Sequence, residues 1–175
     1  MTLFFGKTAD NEYYTPKYAI NLLKPYLPNT GVVWEAFTQG NNELIESPTY
    51  LRECGYEVIT STNDFFEWEP KKFDYIITNP PYHTPRKQRN IKERVIERCC
   101  ELGKPFALCI PTLYLQTKSF KSLQDKYGRF QLLLPSKKFQ FYKIKDNKYN
   151  RKSDCNFYTC WLTRGFNLQR DFIII

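Results

Sequence analysis

The sequence is poorest in the residues that hold metals. It has a single histidine, His83, and its six cysteines (Cys54, Cys99, Cys100, Cys109, Cys155 and Cys160) include no C-x-x-C pair, so no ligand set for a structural zinc ion is expected. No apolar stretch approaches the ~20 residues of a membrane span. Met1 to Asn11 lacks a basic region followed by a long apolar one, which argues against a secretory leader. Without paired spacing, the cysteines read as reduced thiols, several of them serving as small hydrophobes on apolar faces. That usage fits the cytoplasm or, for a viral chain, the cytoplasm or nucleus of the host cell. Internal repeats and domain linkers are also missing, so residues 1–175 are expected to form one domain with no separate segment for recognising a target.

What is there is globular and basic. Hydrophobic residues make up 42% and charged residues 25%, a balance that buries a core. The net charge of +8 and pI near 9.1 favour a polyanionic partner. The charge is clustered. Arg86, Lys87, Arg89, Lys92 and Arg94 form one group, and Lys137, Lys138, Lys143, Lys145, Lys148, Arg151 and Lys152 form another, with Asp146 as its only acid. Both suit phosphate contacts.

Hydrophobic patterning predicts alternating helices and strands. Thr15-Pro16 reads as an N-cap with proline at the first helical position, ahead of a stripe of Ala19, Leu22, Leu23 and Tyr26. Strands are expected at 31–35, 56–60, 73–78, 105–110, 130–134, 155–163 and 172–175. Helices are expected from Ser47 to Gly55, over Ile91–Leu102 ending at Gly103, and around Phe120, Leu123 and Tyr127. Residues 143–154 read as a mobile polar loop. The alternation implies a mostly parallel α/β sheet, in which ligands lie beyond the carboxyl ends of the strands. Glu35, Asp64 and Asn79 all follow predicted strands and are expected to line one crevice.

The run Phe73-Asp74-Tyr75-Ile76-Ile77-Thr78 ends abruptly at Asn79-Pro80-Pro81-Tyr82. An amide, two rigid prolines and an aromatic ring at a strand end suit the holding of a planar –NH2 group. Oxygens that accept its N–H bonds draw the nitrogen lone pair out of conjugation and make it nucleophilic. The Tyr ring stacks on the attached base. The plainer reading is a turn whose Asn caps the strand. His83 is either a contact to the base or its phosphate, or an ordinary loop residue. Arg86, Lys87 and Arg89 are expected to bind substrate.

Together, Tyr14-Thr15-Pro16, Trp34-Glu35-Ala36-Phe37-Thr38-Gln39-Gly40-Asn41, Asp64-Phe65-Phe66 and Asn79-Pro80-Pro81-Tyr82 resemble the S-adenosylmethionine-dependent adenine-N6 methyltransferases of nucleic acids. The resemblance implies a class I methyltransferase, Rossmann-like α/β fold, with a seven-stranded, mostly parallel sheet containing one reversed strand and helices on both faces. It implies S-adenosylmethionine as cofactor. Tyr14, Thr15 and Pro16 would meet its carboxylate, Glu35 its ammonium, Phe37 and Gly40 the turn around it, and Asp64 and Phe65 its adenine. Asn79, Pro80, Pro81 and Tyr82 would hold the target adenine, in DNA rather than RNA. Two departures stand out. Gln39 and Asn41 occupy the family's glycine places, and Thr60, Ser61, Thr62 and Asn63 stand where it has a ribose-binding acid. Two alternatives remain: methylation of a glutamine amide in a protein, and a weakly active methyltransferase-like subunit that binds nucleic acid or supports a partner chain supplying target recognition.

Overall fold

The structure, a computed structural model, describes residues 13–37, 47–82, 90–145, 148–151 and 157–175. Nine strands are described: β1 (Val32–Glu35), β2 (Glu57–Thr60), β3 (Tyr75–Thr78), β4 (Phe106–Pro111), β5 (Gln131–Leu134), β6 (Tyr142–Lys145), β7 (Lys148–Arg151), β8 (Thr159–Arg164) and β9 (Phe172–Ile174). Seven of them form one sheet in the order β2-β1-β3-β4-β8-β5-β9. β8 runs antiparallel to both of its neighbours, and every other pair in the sheet is parallel. This is the α/β architecture expected from the sequence, with its single reversed strand.

The central strands β3, β4 and β8 are covered on both faces, which is why they read as continuous apolar runs rather than alternating ones. Helices α1 (Lys17–Leu23) and α2 (Ser47–Glu53) belong to one face, where Ile20, Leu23, Leu51, Ile77, Cys109 and Trp161 pack together. The Trp161 indole N–H donates to the Ala19 carbonyl at 3.2 Å, pinning α1 to β8. Helices α3 (Ile91–Leu102) and α4 (Lys118–Tyr127) cover the other face, over Trp34, Ile76, Phe106, Leu108 and Leu162. Each fully buried Ile or Leu contributes about 1.5–3 kcal/mol. The Asn90 side chain caps α3 by accepting from Lys92 N, and the helix stops at Gly103, whose φ of 69° no β-branched residue would accept.

Two local expectations change. Pro16, not Thr15, caps α1, and no side chain bonds the helix start. The cause is visible next door: Tyr14 pairs with Tyr142 through N–H···O bonds of 2.9 and 3.1 Å, holding the chain before Pro16 extended. The stretch expected as a mobile loop instead contains an antiparallel hairpin, β6 with β7, and that same Tyr142 ties it to the body.

Candidate active site

Parallel strands β1, β2, β3 and β4 deliver their carboxyl ends to one rim of the sheet, and reversed β8 brings its amino end there. Asn79 leaves β3 at this rim with 7% of its surface exposed, and Pro80 is buried behind it. The Asn79 amide is fixed at both ends. Nδ2 donates to the Tyr13 carbonyl at 2.9 Å, and Oδ1 accepts from the Tyr82 hydroxyl at 2.6 Å. These two bonds set which way the amide faces. A carboxamide oxygen has two lone pairs, and Tyr82 occupies one of them.

Tyr82 folds inward. Its hydroxyl also lies 3.1 Å from the Cys109 carbonyl and 3.6 Å from the Cys109 sulfur. Its ring is stacked on Tyr13 at 6.0 Å and meets Phe157 edge-on at 5.4 Å, while Tyr13 and Phe157 meet edge-on at 5.3 Å. Phe141 closes on Tyr13 from behind. The Lys92 ammonium donates to the Tyr82 carbonyl at 2.7 Å, fastening the motif to the start of α3. Burial holds the Lys92 pKa below its usual 10.5. The motif therefore sits in a cluster of aromatic rings, three of them drawn from outside it.

Tyr13, Phe141 and Phe157 are absent from the sequence reading, and Cys109 enters it only as a small buried thiol. They come from distant parts of the chain, Tyr13 being 66 residues from Asn79. One signal does point to Phe157. A strand is predicted over 155–163, and because the structure makes β8 the reversed one, its first residues come to the rim where the parallel strands end.

A second group lies beyond β1 and β2. Glu35 has 1% of its surface exposed. Its carboxylate accepts from the Thr78 hydroxyl, from Ser47 Oγ at 2.7 Å and from Phe37 N at 3.3 Å. It thus joins the ends of β1 and β3 to the start of α2. Asp64 bends the chain after β2 by accepting from Phe66 N at 2.9 Å. Phe65, expected to face a ligand ring, is 3% exposed and packs on Trp34 at 5.2 Å and on Phe37 at 4.8 Å. Phe37 is the more open of the two rings. Tyr14 and Thr15 are buried beside the Tyr142 pairing, and α1 behind them has seven residues. Gly40, His83, Arg86, Lys87 and Arg89 lie outside the described residues, as do Gln39 and Asn41.

Comparison with known proteins bears on the family and the fold. The sequence model of the methyltransferase small domain matches residues 43–143. Among solved structures, sixteen chains match. One is a Listeria monocytogenes protein described as a class I S-adenosylmethionine-dependent methyltransferase, with a TM-score of 0.53 at 10% identity. The match covers 97% of this chain and 67% of that one. No curated protein matches the sequence.

Proposed function

Because the chain belongs to the methyltransferase small domain family and is therefore a methyltransferase, we propose that its acceptor is the exocyclic amine of adenine in nucleic acid, DNA ahead of RNA. The observation that carries this reading is Asn79, whose acceptor oxygen is oriented by the hydrogen bond that its Nδ2 donates to the Tyr13 carbonyl, at a rim walled by Tyr13, Tyr82 and Phe157. Aromatic rings suit a planar base, and stacking on such rings is worth about 1–3 kcal/mol per base. The hairpin joined at Tyr142 carries the backbone of a Lys-rich segment to the neighbourhood of Asn79, in keeping with a polyanionic substrate.

The residues beyond β1 and β2 fit S-adenosylmethionine. A buried carboxylate, Glu35, suits its ammonium; Phe37, backed by Phe65, suits its purine; and Asp64 suits the amine on that purine. When bound, S-adenosylmethionine supplies a methyl group on a sulfonium, which needs no strong base in the protein. The protein's own part is orientation. Asn79 Oδ1 accepts one N–H of the target amine through its second lone pair, or takes it in exchange for the Tyr82 hydroxyl. Tyr13 keeps the amide from turning over. The N–H thus polarised leaves the nitrogen lone pair less conjugated and more nucleophilic.

Labelled methyl transfer measured in parallel on DNA, RNA and protein tests the reading. Label is expected on adenine N6. Asn79→Ala should lower transfer by about 10²–10³-fold, the cost of removing one such polar group, while calorimetric cofactor affinity stays within a few fold. A fully active Asn79→Ala, or label confined to protein, would refute the assignment.

A further inference from the structure

Thr159 opens β8 and pairs with Pro111 of β4. It is 2% exposed, and its Oγ1 has no hydrogen-bond partner among the described residues. The other threonines buried in this sheet are unlike it. Thr163, four residues along the same strand, donates to the Gln131 carbonyl at 3.1 Å, and Thr78 donates to Glu35. A buried hydroxyl left unpaired is costly, since folding strips its water and returns nothing. Trp34 Nε1 and Arg98 Nε are also unpartnered among the described residues, but they belong to the α3–α4 side.

Strand alternation fixes where the Thr159 side chain lies. Thr159 and Trp161 share a face of β8; Trp161 stands opposite Cys109 and packs in the same cluster. Cys109 is the residue whose carbonyl and sulfur approach the Tyr82 hydroxyl. Phe157, two residues before Thr159, packs on Tyr82 and Tyr13. The unpaired hydroxyl is thus on the same rim and the same face as the aromatic cluster around Asn79.

We propose that Thr159 is a specificity-determining residue whose hydroxyl donates a hydrogen bond to a ring nitrogen flanking the amine that Asn79 holds. The proposal rests on the adenine reading and deepens it. An acceptor at Asn79 and a donor at Thr159 together read an amine beside an unprotonated ring nitrogen. A base presenting a carbonyl in place of the amine fails at Asn79, and one lacking the ring nitrogen leaves the Thr159 hydroxyl unpaired again.

The test uses single-stranded oligonucleotides carrying one adenine, one 1-deazaadenine or one 7-deazaadenine. With the wild-type chain, one of the two deaza bases is expected to lose on the order of tenfold in methyl transfer, the worth of one neutral hydrogen bond. Thr159→Val should lose a similar factor on adenine and no longer distinguish that deaza base. Thr159→Ser should retain both rate and discrimination. The thermal midpoint of Thr159→Val should equal or exceed that of the wild type, because an unpaired buried hydroxyl has gone. Equal wild-type rates on all three bases, or unchanged discrimination in Thr159→Val, would overturn the proposal. A wild-type chain inactive on adenine but active on protein would instead remove the reading beneath it.

Discussion

The two rims of the sheet handle buried polar groups in opposite ways. At the amino rim, Gln131 is buried and hydrogen-bonded at both ends of its amide. Its Nε2 donates to the carbonyls of Leu168 and Arg170 and lies 3.3 Å from an Asp171 carboxylate oxygen, while Oε1 accepts from Leu168 N. Thr163 closes the same arrangement through the Gln131 carbonyl. At the carboxyl rim, Thr159 Oγ1 has no hydrogen-bond partner among the described residues. Gln131 thus ties the 168–171 segment to the start of β5, whereas the Thr159 hydroxyl ties nothing among the described residues.

Phe157→Ala tests the carboxyl rim. Removing the ring that meets Tyr82 and Tyr13 should weaken substrate use by about 10- to 100-fold, the range of one lost base stack, and appear mainly in KM. Unbinding of labelled oligonucleotide measures it directly, and unchanged KM would take Phe157 out of the substrate path. Gln131→Ala tests the amino rim. It should cost about 1–3 kcal/mol in denaturant unfolding, because backbone groups of 168–170 lose their partner. Methyl transfer per folded molecule should not change; a matching fall in kcat would erase the distinction between the rims.

The smallest effect concerns pH. Tyr56, just before β2, donates to the Pro28 carbonyl and accepts from Lys24 Nζ at 3.1 Å. Burial, aided by Cys54 and Tyr75 nearby, pushes its phenol up to about 12 from 10.0. The folded state therefore resists ionisation that the unfolded chain undergoes. Stability from this source is complete below pH 10 and is lost as pH rises from there through about 12. Tyr56→Phe should flatten that alkaline limb in thermal unfolding while leaving transfer near neutrality unaltered. An identical limb in the variant would assign it to another group.

Much of this was legible before any coordinates. Runs such as Tyr75–Thr78, rich in β-branched residues, and Phe106–Pro111, mostly apolar, reflect a central strand covered on both faces, so their strand character follows from composition. Asn79-Pro80-Pro81-Tyr82 is contiguous and follows such a run, so its place at a strand end could be read from the sequence. The companions of Asn79 could not. Tyr13 contributes a backbone carbonyl, which has no sequence signature, and the Thr159 hydroxyl stands out by having no partner among the described residues, which only packing reveals. Phe65 misled because an aromatic after a turn acid looks the same whether it lies open or packs beneath another ring, as Phe65 does beneath Phe37. The hairpin at β6 and β7 was hidden by its polarity, having little apolar alternation to announce two strands.

The backbone pairing of Tyr14 with Tyr142 has a mechanical consequence. Tyr14 adjoins Tyr13, whose carbonyl steers the Asn79 amide, so the hairpin is the long arm of a lever whose short arm is a single peptide unit. A displacement of the hairpin is thereby transmitted, within one residue, to the carbonyl that orients the Asn79 amide.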